Sequence, residues 1–204
     1  KEMHQNLKPL NFQLGLLRFD ANINIEPVIK KGANVVGEIR SRNREYRDEY
    51  IVIGAHFDHI GLGGPGSGSR KPDSVQVHPG ADDNGSGTAG LLELAQKLSS
   101  NKNRLKRSFL LVGFDAEEKG LLGSKHFVEN SPVDMKDIVS MINMDMIGRM
   151  SDSSFTVGGV GTSASFELLL DSLKTNRPFE LIIDKPGFGP SDHASFYTRD
   201  IPVL

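Results

Sequence analysis

The 204-residue chain contains no cysteine. Disulfides, thiolate metal sites and cysteine nucleophiles are therefore excluded, and any metal must be bound by nitrogen and oxygen. No apolar run approaches the ~20 residues that span a bilayer, and Lys1 to Pro9 lacks the apolar stretch of a signal peptide. Neither charge sign is in excess: 24 basic residues stand against 26 acidic ones without a long like-charge run, which argues against a nucleic-acid groove or a polybasic membrane contact. Internal repeats and low-complexity segments are absent too. At ~100–200 residues per domain, the length suits a single domain with a sizeable core.

Apolar and polar residues partly alternate from Phe19 to Arg40, which predicts antiparallel strands at a sheet edge with a turn at Lys30 to Asn34. Tyr50 to Ala55 is a continuous apolar run, the pattern of a strand buried on both faces, and it delivers His56 at its C-terminal end. Ser108 to Phe114 and Ile138 to Met144 read the same way, the first stopping at an acidic cluster and the second at Asp145. Helices are expected over Gly85 to Ser99, Gly120 to Glu129 and Ala164 to Lys174, and short strands over Ser154 to Val157, Leu181 to Ile183 and from Ile201 onward. Strands alternating with helices predict an α/β fold of three layers, α/β/α, with a central mixed, largely parallel sheet. Gly61 to Pro79, rich in Gly, Ser and Pro, reads as a long loop of the kind more often functional than idle.

His56, Glu118 and Asp145 each follow a predicted core strand, while Asp83 and His193 lie in loops. Ligands of open α/β sheets bind beyond the carboxyl ends of the strands, where these residues converge. Taken singly, each has a plainer reading. His56-Phe57-Asp58 can be a histidine closing a strand, Asp82-Asp83-Asn84 a helix cap, Glu117-Glu118 a solvated turn, and Asp145 or His193 a loop residue. Together they make a two-metal set of nitrogen and oxygen donors, each metal with three protein ligands and a shared water. Asp58 is placed to orient His56, and one of the two glutamates can move a proton between that water and a leaving amine. Such chemistry hydrolyses peptide bonds.

The stretches G-A-H-F-D-H from Gly54, P-G-A-D-D-N-G-S-G-T-A from Pro79, F-D-A-E-E-K-G-L-L-G-S from Phe114, M-I-N-M-D-M from Met141 and G-P-S-D-H-A-S-F from Gly189 resemble, in order, those of the M28 family of co-catalytic zinc peptidases. The resemblance implies two Zn2+ per chain, bridged by Asp83, one also bound by His56 and Asp145 and the other by Glu118 and His193. It makes Glu117 the general base and Asp58 the orienting residue, and it implies a cis peptide after Asp83. His59, His78 and His126 have no ligand position in that pattern, and Asp82 and Asp192 would support ligands rather than bind metal.

The activity implied is that of an aminopeptidase acting on peptides, outside the cytoplasm as is common for bacterial relatives. The resemblance covers 51–204 as a metal-site core and 1–50 only loosely, within one domain that stops at Leu204, short of where family domains usually end. Two other readings use the same scaffold: a glutaminyl cyclase-like acyltransferase with one zinc, and a non-catalytic binding domain. An M20-type amidohydrolase fits the motif contexts poorly. Phe188 and Phe196 are candidates to line a pocket for an apolar first residue, and Arg70 and Lys71 are cations in the long loop that a carboxypeptidase would need for a terminal carboxylate.

Overall fold

The computed structural model describes residues 15–16, 20–26, 29–150, 153–173 and 179–204. Contacts divide the chain into two compact units, Lys1–Lys31 and Gly32–Leu204. In the first unit no described residue lies in a strand or helix, and Leu16, Ile23, Ile25 and Ile29 are exposed. The strands expected over Phe19 to Arg40 thus reduce, among the described residues, to β1 (Val35–Ile39); Phe19 and Val28 lie outside them. Alternation makes a strand only where a neighbour completes the backbone hydrogen bonds, and among the described residues of this stretch β1 alone is paired. No turn forms at the expected place either. Asn34 is instead pinned by its side chain, which donates to Gly123 O (2.8 Å) and accepts from Asp115 N (3.1 Å).

The second unit is built on a four-stranded sheet in the order β1-β3-β2-β4, with β2 at Tyr50–His56, β3 at Ser108–Phe114 and β4 at Ile138–Asn143. β2 runs parallel to both β3 and β4, and β1 is antiparallel to β3. The chain passes from β2 to β3 through α1 (Gly87–Ser100), then back across β2 to β4 through α2 (Leu122–Glu129). Because parallel crossovers are right-handed, that reversal puts the two helices on opposite faces. Ile53, Ala55 and Leu111 pack against Leu91, Leu94 and Leu98 of α1. Alternate residues Val52, Leu110, Val112 and Phe114 pack on the other face with Phe127 of α2. Burying each of the larger side chains contributes roughly 1.5–3 kcal/mol. The expected three-layer arrangement is present.

α1 starts two residues later than expected because Asp83 (φ −106°, ψ 94°) and Asn84 (φ −128°, ψ 43°) are not helical. Gly87 opens it where a methyl group would lie 2.3 Å from Met144 O, so only glycine lets the helix come this close to the end of β4. Downstream, α3 (Ala164–Leu173) links β5 (Ser154–Val157) to β6 (Glu180–Ile183), which pair in parallel as a separate two-stranded sheet. A short α4 (His193–Tyr197) returns Phe196 to the core. The strand expected from Ile201 begins as a parallel bridge between Val203 and Met141.

Candidate metal centre

Three strand ends supply the site. β2 ends at His56, which is 1% exposed. After β3, Ala116 in a left-handed conformation (φ 55°) turns the chain into the single turn Glu117–Lys119. Asp145 stands two residues beyond β4. The fourth contributor is the turn before α1, where Asp83 is followed by the cis peptide that the resemblance implied.

His56 Nε2 lies 3.4 Å from Asp83 Oδ1 and 3.6 Å from Asp145 Oδ1. Its Nδ1 is 3.1 Å from the main-chain oxygen of Asp58 and 3.6 Å from that residue's Oδ1, so the carbonyl is the nearer acceptor. The Asp58 carboxylate instead accepts the amides of Glu117 (2.9 Å) and Glu118 (3.2 Å), fastening the acidic turn to the end of β2. Beyond Asp83, Oδ2 lies 3.9 Å from His59 Nδ1, and that nitrogen is 2.8 Å from Glu118 Oε1. Close as they are, these last two atoms do not meet at hydrogen-bonding angles, and both are buried without a partner, as is Asp145 Oδ1.

Among the described residues the possible metal-holding groups are therefore His56 with Glu117 and Asp145, and His59 with Asp83 and Glu118. Asp83 turns one oxygen toward each. His193 is in neither group. It opens α4, and its ring sits over Gly189, where a methyl group would meet Nε2 at 2.4 Å. His59, to which the resemblance gives no ligand position, is the histidine grouped with Asp83 and Glu118.

The electrostatics ask for positive charge here. Burial works against a charged His56, yet the carboxylates of Asp145 and Asp58, aided by Glu117, outweigh it and raise the imidazole to about 11. Burial likewise opposes a charged Asp145 or Asp58, but His56, with Ser191 for Asp145 and the two turn amides for Asp58, holds both below the usual carboxylate range. Glu117 behaves differently: burial, reinforced by Asp192, Asp145 and Glu118 and opposed by His56, lifts it to about 7. Burial lowers His193 against the pull of Asp145. A cluster of nitrogen and oxygen donors with orphaned atoms and little counter-charge fits a dication well.

Asn84 is a supporting residue not apparent from the sequence, whereas Asp82 and Asp192 are expected in that role. Asn84 is buried; its side chain donates to Met144 O (2.9 Å) and accepts from Gly87 N (3.0 Å) and Met146 N (3.2 Å). Asp82 accepts from Gly148 N and from Arg149 Nε, both at 2.9 Å. Thus both neighbours of Asp83 reach to the segment that carries Asp145. Asp192 is fully buried, with neither carboxylate oxygen bonded, and burial raises it to about 6. Of the two phenylalanines considered for a pocket, Phe196 is buried in the core against Phe114 and Phe127, while Phe188, exposed and edge-on to Tyr197, lines a cleft with Leu121, Val128 and Ala194. Arg70 and Lys71 are exposed in the long loop.

Residues 34–204 match the model of peptidase family M28. The chain belongs to that family. Among its M28 relatives, aminopeptidase YwaD of Bacillus subtilis is 35% identical over 177 residues, 82% of this chain and 34% of that protein. The structure of BSAP, a zinc aminopeptidase from Bacillus subtilis, superposes with a TM-score of 0.63 at 27% identity, covering 83% of this chain and 38% of that one. A glutaminyl cyclase from Porphyromonas gingivalis shares the fold, with a TM-score of 0.64 at 23% identity over 84% of this chain and 61% of that one. The chain spans about a third of the length of the curated relatives it matches.

Proposed function

We propose that this chain forms the catalytic core of a two-zinc aminopeptidase, which hydrolyses the N-terminal bond of peptides with Glu117 as the base. The observation that carries the reading is the placement of Asp83, whose two oxygens face two different donor groups as a bridging ligand's would. His56 and Asp145 would hold one zinc, Glu118 the other and Asp83 both. Two histidines compete for the remaining position: His59 by geometry and His193 by the family pattern. Zinc bound there would supply Lewis acidity, polarising the scissile carbonyl and bringing a water toward neutral pKa.

The chain's own residues do the rest. Glu117, half-buried beside the donor groups, takes a proton from the water and returns it to the departing amine. Asp58 fixes the direction of Glu117 and Glu118 by holding their amides and steadies His56 through Nδ1. The names of the M28 relatives support an aminopeptidase over a carboxypeptidase. Action outside the cytoplasm belongs to the same proposal and rests on the family pattern; cell fractionation tests it, and a purely cytosolic pool would overturn it. No helix among the described residues is long and apolar enough to cross a membrane.

Zinc per chain, measured by elemental analysis after reconstitution, is the test. The expected result is two ions in the wild type and a loss in Asp83→Ala. Whichever of His59→Ala and His193→Ala also loses zinc identifies the second imidazole. One ion in the wild type would favour the cyclase-like chemistry, and none in a folded sample would overturn the metal centre.

A further inference from the structure

We propose that Arg149 selects substrates in this cleft by receiving a carboxylate of the bound peptide. The inference rests on the peptidase reading above. Beside the second donor group lies a cleft of about 600 Å³, whose lining includes His59, Asp82, Asp83, Gly148 and Arg149. That volume suits a short peptide, since ligand pockets commonly run from ~300 to ~1,000 Å³. Arg149 is the only lysine or arginine among the lining residues, and the carboxylates there belong to Asp82 and Asp83. A substrate amine is attracted to Asp83. A substrate carboxylate has one favourable place to go.

The arginine is anchored for this task. Asp82, 17% exposed, takes Arg149 Nε at 2.9 Å and fixes the base of the loop through Gly148 N, while the Arg149 side chain remains 77% exposed. A guanidinium has five N–H donors in a rigid planar fork that matches a carboxylate, and the Asp82 contact takes one of them. Holding the stem in place reduces the rotamer freedom that a carboxylate must otherwise freeze out on binding. The shared chemistry is a carboxylate, supplied either by the C-terminus of a short peptide or by an acidic side chain following the first residue.

The test uses the zinc-loaded chain with Leu-Gly-Gly, Leu-Gly-Gly-amide and Leu-Glu-Gly-amide, measuring kcat/KM for each and, in parallel, binding by calorimetry. The wild type is expected to favour whichever peptide brings the matching carboxylate: the free acid if the C-terminus is read, the glutamyl amide if a side chain is read. In Arg149→Ala that preference over Leu-Gly-Gly-amide should fall about tenfold, read as a ratio of KM values so that any general loss of activity cancels. Arg149→Lys keeps the charge without the fork, should fall between, and serves in its place if the alanine variant does not fold. Equal ratios in wild type and variant overturn the role of Arg149. Absence of hydrolysis for all three peptides overturns the peptidase reading instead, and the binding ratios then decide the arginine separately.

Discussion

His56 closes a buried strand and is 1% exposed, whereas His59, three residues further, is 20% exposed in the loop that follows. The difference extends to their companions. On the His56 side, His56 ends β2 and Asp145 stands two residues beyond β4, so the sheet itself sets their spacing. On the His59 side, Asp83 and Glu118 come from turns, and Asp83 (36% exposed) is more open than Asp145 (28%). One half of the centre is thus preorganised by hydrogen-bonded strands, and the other depends on loops that open at lower cost. Affinity and chemistry should follow that division.

The most direct way to break the comparison is Glu117→Gln, which removes the proton carrier of the His56 side while keeping its shape. The turnover rate should drop about 10²–10⁴-fold with two zinc ions retained; a variant that keeps its rate would remove Glu117 from the chemistry. Asp58→Ala cuts the link between the two halves, because its carboxylate holds both turn amides. Zinc affinity or activity should fall about 10–100-fold, and Asp58→Asn, which can accept only one of the two amides, should lie between. The smallest effect expected is a staged loss of metal: under titration with a chelator the two ions should leave with apparent affinities about tenfold apart, the His56-side ion last. Simultaneous release would mean that Asp83 welds both halves into one unit.

Much of this centre is legible in the sequence because strand ends are. Continuous apolar runs mark β2, β3 and β4, and once their direction is known His56, the Glu117-Glu118 pair and Asp145 must gather at one end. Side-chain direction within loops is another matter. Nothing in Asp58-His59 reveals that the second ring turns toward Glu118, and the partnership of Asp82 with Arg149 joins residues 67 apart that no periodicity connects. Phe196 shows a related difficulty: an aromatic residue near a site can line a pocket or fill the core, and here the short helix α4 turns it inward against Phe114 and Phe127. Phe19 to Arg40 shows the converse, an alternating pattern that, among its described residues, has a partner strand only from Val35 to Ile39.

The grip of Asp82 and Asn84 on residues 144–149 also bears on how this sequence can drift over generations. Between Asp83 and Asp145 lie two helices, two strands and their loops, and the loops can gain or lose residues. Because the segments that carry these two residues are tied by local bonds at 2.9 to 3.2 Å, their spacing does not depend on the length of the chain that joins them. Insertions can accumulate in that interval while the geometry of the centre is inherited unchanged.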